Sequence, residues 1–177
     1  MDLNLIKLEK KINVKFKDSK LLIKSVTHKS YDANYNNEKL EFLGDRVLGL
    51  VISKKLLEIY PEEKEGALDK KLASLVNKKK CLEVAKSFSL EKFIFTGNKK
   101  KKDTKIESKI ISDCCEALLG AIYLDQGFEV VENFILKIWK THLKSTVVTF
   151  VDSKTKLQEY SLKKFKVLPI YKLLDNS

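Results

Sequence analysis

Glu38, Glu41 and Asp45 stand three and four residues apart in EKLEFLGDRVLGLVISKKLL, and Asp113 and Glu116 stand three apart in IISDCCEALLGAIYL. On a helix, that spacing puts each set on one face. Their surroundings are apolar. Leu40, Phe42, Leu43, Val47, Leu48, Leu50, Val51 and Ile52 cover most of the first segment's circumference, which is the pattern of a buried helix. A carboxylate in such surroundings is costly to ionise, so it needs a cation or a proton. Two facing helices carrying Glu41, Asp45, Asp113 and Glu116 could offer four oxygen ligands to Mg²⁺, a hard ion that keeps several waters. Arg46 and Lys109 could instead pair with these groups in a salt-bridged core, and a solvated acidic groove is a third reading. The residues alone leave all three open.

The elements that must position these groups are helical. Leu3, Ile6, Leu8 and Ile12 fit a first short helix, and Asp18 or Ser19 can cap a second that carries Leu21, Leu22 and Val26. The Asn-rich stretch Tyr31 to Asn37 reads as a loop. A long helix is expected from about Glu38 to Ile59, stopped by Pro61. Further helices are expected from about Gly66 to Lys78 and from Lys80 to Ser87, followed by a turn at Phe93 to Gly97 and the run Lys99 to Lys102. The second acidic helix is expected from about Glu107 to Asp125, with Gly127 as terminator, and another from about Val130 to Leu143. Gly44, Gly49 and Gly120 weaken helix propensity, which points to close packing against a neighbour. The expected fold is all-α over residues 1–145. A linker at 146–153 and a short α/β remnant at 154–177 follow, the latter a helix and then a strand around Ile170 to Leu174.

The 177 residues suffice for one well-buried domain and a small appendage. Thirty-five Lys and Arg against 24 Asp and Glu leave a formal charge of +11. That excess favours a polyanionic partner, because neutralised phosphates release condensed counterions. The plainer alternative is that lysines solvate helix surfaces. Cys81, Cys114 and Cys115 lack metal-ligand spacing, and His28 and His142 lie in no ligand pattern, so the cysteines are expected to be reduced core thiols and zinc is not expected. MDLNLIKLEKKI has no continuous apolar signal-peptide core, and Val47 to Ile52 is far too short to span a bilayer. The expectation is a cytoplasmic protein with no membrane partner.

NNEKLEFLGDRVLGL resembles the signature segment of bacterial ribonuclease III, and SDCCEALLGAIYLDQG resembles the second motif of that family. THKSY at Thr27 to Tyr31 and EGALDKKLASLV at Glu65 to Val76 fit the same family in the same order, so the resemblance covers about residues 5 to 143. The tail SKTKLQEYSLKKFKVLPIYKLL resembles the opening helix and first strand of a double-stranded-RNA-binding domain, without that module's remaining strands and second helix.

The resemblance implies a Mg²⁺-dependent endoribonuclease, with Mn²⁺ as a substitute ion. Glu41, Asp45, Asp113 and Glu116 would be metal ligands, Asp45 and Glu116 being most central to hydrolysis. Glu38 and Glu65 would engage RNA near the cleavage region. The family works as a homodimer that cuts both strands of double-stranded RNA, leaving 5′-phosphates and short 3′ overhangs in ribosomal and other RNA processing. His28 matches a family position and reads as structural. Arg46 stands where many members have Ser and is expected to pair with a nearby carboxylate. The run Lys99 to Lys102 replaces a loop that is often Gly-rich, and reads equally as a phosphate contact or a solvated loop. A catalytically weak relative that binds structured RNA is the alternative function, and a basic helical protein with no RNA role is a third. Intact carboxylates at every motif position favour the enzyme.

Overall fold

A computed structural model describes residues 3–97, 106–145 and 153–171. The chain divides into two compact units, separated between residues 146 and 147.

In the first unit, two long helices form the frame. The α3 helix (Glu38–Ile59) carries Leu40, Val47, Leu48, Val51, Ile52 and Leu56 on its buried face. It ends at Ile59, and Pro61 disfavours a helical conformation in Tyr60, the residue ahead of it. The α6 helix (Ser108–Gln126) is buried at every position from Ile111 to Ile122. These two helices share the most extensive helix–helix contact, and two glycines make it close. A Cβ on Gly44 would overlap the carbonyl oxygen of Glu116, and one on Gly120 would overlap that of Leu40.

The remaining helices enclose this pair. The α1 helix (Leu3–Ile12) contributes Leu5, Leu8 and Ile12 to the core. The α2 helix (Ser19–Ser25) starts at Asp18, whose carboxylate accepts from the Lys20 N–H as an N-cap. The α4 helix (Glu65–Leu75) packs on α3, and α5 (Lys78–Ser87) packs on α6. A 3₁₀ turn at Leu90–Lys92 follows. The α7 helix (Phe128–Ile138) and α8 (Lys140–Ser145) close the unit, meeting at the fully buried Trp139, which donates its indole N–H to the Leu75 carbonyl at 2.9 Å.

Several boundaries differ from expectation for identifiable reasons. The expected helix through Lys78 ends at Leu75 because Asn77 turns extended and caps α5, accepting from the Lys80 N–H. Lys78 thereby becomes the first residue of a new helix. The expected helix Val130 to Leu143 begins at Phe128 and breaks at Trp139, where the indole anchors to α4. Phe93 to Gly97 is not a free turn. Phe95 forms an isolated parallel bridge with Thr27, donating its N–H to the Val26 carbonyl and accepting from His28. Nor is α3 buried all round: Phe42, Leu50 and Leu57 are exposed on its outer side. Gly49 has open space around its Cα, so close packing explains Gly44 and Gly120 but not Gly49.

In the second unit, α9 (Ser153–Phe165) is followed by a short tail that returns to it, the Ser161 hydroxyl donating to the Val167 carbonyl at 2.7 Å. Of the expected strand around Ile170 to Leu174, Ile170 and Tyr171 are irregular and residues 172–174 lie outside the described residues. No partner strand exists among the described residues of this unit to take up their backbone groups. The expected linker also lies outside the described residues apart from Ser153, as does the run Lys99 to Lys102.

Candidate metal centre

The crossing of α3 and α6 decides where the carboxylates meet. Glu41 sits one turn before Gly44, and Asp113 and Glu116 lie on the stretch of α6 facing it. The close backbone approach at Gly44 therefore brings acid against acid. One carboxylate oxygen each from Glu41, Asp113 and Glu116 lies within 4.8 Å of the others. Glu116 is 2% exposed.

The cation at their centre comes from α5. Lys78 donates to Asp113 at 2.6 Å, to Glu116 at 2.8 Å and to Glu41 at 3.0 Å. Burial alone would depress the Lys78 ammonium, but its bonds to Asp113, Glu116 and Glu41 outweigh that and hold its pKa above the usual lysine range. Burial pushes the Glu116 carboxyl above the usual carboxylate range, with Asp45 adding to the effect, and Lys78 and Cys81 only partly reverse it. The site thus gathers three acids, two of them buried, around a single positive charge.

Other expected site residues are placed differently. Asp45 lines the same open cavity as Glu41, Glu116 and Lys78, but its carboxylate pairs with Arg46 rather than joining the three-acid cluster. Arg46 also stacks over Phe42, 4.9 Å from the ring centroid. Glu38 lies at the mouth, paired with Lys29 at 2.8 Å. Glu65, the first residue of α4, is exposed and lines a separate hollow with Leu57, Leu68 and Leu72. Lys109 lines a neighbouring polar recess with Asp113 and Glu107. His28 is tied into the scaffold: its Nδ1 and the Ser30 hydroxyl lie 2.8 Å apart, and its N–H donates to Phe95.

The second layer is sulfur-rich. Cys81, Cys114 and Cys115 are all free and buried. Asn37, 1% exposed at the head of α3, donates to the Cys114 sulfur at 3.2 Å, and the Cys81 thiol lies 3.5 Å from Glu116 Oε1. Burial raises the pKa of all three thiols, so they remain protonated packing groups rather than metal-binding thiolates.

Lys78 was hidden in the sequence. It opens a run of three lysines, and the helix boundary that aims it inward depends on the Asn77 cap. The informative signal was Asn followed by a helical stretch, which marks a helix start.

The donor set suits a hard divalent ion, being all carboxylate oxygen on two helices locked by glycines. The family described as Ribonuclease-III-like matches residues 18–143. The chain is also 65% identical over 177 residues to Ribonuclease 3 of Pelagibacter ubique, covering 100% of this chain and 80% of that protein. The chain belongs to the ribonuclease III family. Ribonuclease 3 of Nitratiruptor is 40% identical over 175 residues, covering 96% of this chain and 76% of that protein. A solved structure of the ribonuclease III nuclease domain of Campylobacter jejuni superposes with a TM-score of 0.73 at 40% identity, covering 78% of this chain and 97% of that one. The all-α fold and the enzyme class, an endoribonuclease of the ribonuclease III type, follow from this kinship.

Proposed function

We propose that this ribonuclease III hydrolyses phosphodiester bonds of double-stranded RNA with the help of Mg²⁺, leaving 5′-phosphates and short 3′ overhangs in the processing of ribosomal and other RNA. The observation that carries this reading is the convergence of Glu41, Asp113 and Glu116 on one cation. A bound divalent ion supplies a water of lowered pKa and neutralises charge on the leaving oxygen. Glu41, Asp113 and Glu116 would hold it, with Asp45 as the fourth ligand. Asp45 is one helical turn from Glu41 and lines the same cavity, and to join the ion its side chain would have to turn away from Arg46. Asp45 and Glu116 are the residues assigned most directly to hydrolysis. Mn²⁺, with a similar liking for oxygen ligands, would substitute.

The substrate reading draws on charge. The chain carries +11 overall although its cluster is acidic. Lysines elsewhere can therefore neutralise phosphates while the carboxylates wait for the scissile bond. Duplex RNA is read by shape and by 2′-hydroxyl and phosphate contacts, so sequence preference should be weak. Glu38 at the mouth and Glu65 on α4 are assigned to RNA engagement near the cut. Because Glu65 stands apart from the cluster, its role needs a second copy of the chain that brings its α4 towards this site.

A homodimer accords with the exposed stripe Phe42, Leu50 and Leu57 on α3, next to an apolar hollow formed with α4. The C. jejuni nuclease domain is itself described as having a region involved in dimer formation. A cytoplasmic setting accords with the three free thiols, and among the described residues no helix is long and apolar enough to cross a membrane.

The test is Glu116→Gln, which nearly preserves shape and removes a charge from the cluster. Cleavage of an RNA duplex is expected to fall by orders of magnitude, while duplex binding measured in Ca²⁺ survives. Unchanged cleavage would remove Glu116 from the site.

A further inference from the structure

Lys78 does not sit beside the three carboxylates; its ammonium fills the point on which they converge. With Nζ 2.6 to 3.0 Å from Asp113, Glu116 and Glu41, no room is left among the same oxygens for a second cation. An ammonium and a metal ion held by one oxygen set exclude each other. The Lys78 side chain enters from solvent, being 51% exposed, whereas the Glu116 side chain it reaches is 3% exposed. Lys78 is also the first residue of α5, on a helix start fixed by the Asn77 cap, so its stem can turn outward without disturbing the helix. The open cavity around it is lined by Phe42, Asp45 and Arg46. An outward turn thus leaves the ammonium in the groove where the proposed RNA substrate would lie.

We propose that Lys78 is an exchangeable counter-cation: it holds the Glu41, Asp113 and Glu116 carboxylates together in the metal-free protein and is displaced into the open groove when a divalent ion enters. This rests on the reading of the cluster as a metal centre. Lys78 is on this account a positioning residue, acting through the carboxylates. It keeps three like charges from repelling one another before the ion arrives. It also lowers apparent metal affinity, because only molecules with the lysine turned out can accept the ion. Once displaced, the same charge faces a phosphate-binding surface, so metal loading and RNA capture become linked.

The experiment is calorimetric titration of Mg²⁺ into the RNA-free wild type, Lys78→Met and Lys78→Arg, with thermal unfolding of each in chelator. Lys78→Met keeps the stem and removes the charge. Its Mg²⁺ affinity is expected to be about tenfold or more tighter than wild type, and its unfolding temperature in chelator lower, with Mg²⁺ restoring it. Lys78→Arg keeps the competitor, so its affinity should stay within a few-fold of wild type. Should Lys78→Met fail to fold, the wild type still decides the matter. In lysine-labelled protein, the Lys78 side-chain resonance, assigned with Lys78→Arg, is expected to move to the position of a solvated lysine as Mg²⁺ saturates. If wild type binds Mg²⁺ but that resonance stays put, or Lys78→Met binds equally or more weakly, the exchange is wrong and the metal centre stands. If neither wild type nor Lys78→Met binds Mg²⁺, the metal reading fails and the exchange with it.

Discussion

Asp125 and Glu116 sit on the same helix and meet opposite fates. Asp125 accepts the Lys17 and Asp18 N–H groups, each at 2.8 Å, pinning the loop between α1 and α2 to the end of α6. Burial opposes its ionisation, but the bonds from Asp18 and Lys17 win, and its pKa lies below the usual carboxylate value. Glu116, more deeply buried and close to Asp45, is pushed the other way despite its bonds from Lys78 and Cys81. A depressed carboxylate stabilises the fold above its unfolded pKa and loses that contribution as pH falls through its folded pKa. Asp125→Ala should therefore cost about 1 kcal/mol near neutral pH, allowing for its partial exposure. The difference from wild type should shrink as denaturation is repeated below pH ~4; a gap that stays constant with pH would assign the loss to packing. At this scale the sequence was partly readable. Acids at helical spacing within apolar runs revealed Glu41, Asp113 and Glu116. That Arg46 would pair with a nearby carboxylate was legible, but that the pair would turn Asp45 out of the cluster was not, because a rotamer depends on neighbours in space. Lys78 was missed because one capping asparagine decides which of three lysines points inward.

The α3–α6 crossing is the element on which the site depends. The backbones meet at Gly44 and Gly120, where a methyl group would have to displace main chain rather than a flexible side chain. Gly44→Ala should destabilise the protein by about 3 kcal/mol or more, at or beyond the upper end for overpacking, and should spread the carboxylates apart. Gly49→Ala, one and a half turns along the same helix and facing open space, should instead be neutral or stabilise by up to about 1 kcal/mol in helix propensity. Urea unfolding of the two variants checks this pair, and equal losses would mean that the glycines are not the reason for the close crossing. The existence of both long helices was legible from their apolar circumference and acidic stripe, and so was the stop at Pro61. The breaks at Asn77 and Trp139 were not. The first is set by a local asparagine cap at the edge of a lysine run, the second by a tertiary partner, the indole anchored on α4.

The whole molecule presents apolar surface where a lone protomer has no use for it. Phe42 is 65% exposed, and with Leu50 and Leu57 it forms one face of α3. Leu40, two residues earlier on the same helix, lies in the protomer's own core. Phe42→Glu should shift the protein from dimer to monomer in sedimentation at micromolar concentration, since it places a charge in the interface. A wild type that sediments only as monomer would end the dimer reading. The helical class of the first unit was legible from the sequence because periodicity survives any arrangement of helices in space. For the proposed dimer the sequence offers only an excess of apolar residues on α3, which a buried helix and a dimer helix share.

Cutting of duplex RNA is proposed to depend on the converging carboxylates and a divalent ion. This dependence is tested most directly by incubating the purified protein with a long RNA duplex at low salt, with Mg²⁺ and with chelator, and analysing the size and ends of the products. Short duplex fragments with 5′-phosphates are expected in Mg²⁺ and intact duplex in chelator. Equal cleavage in both, or an uncut duplex in Mg²⁺ that is nonetheless bound, would contradict this proposal.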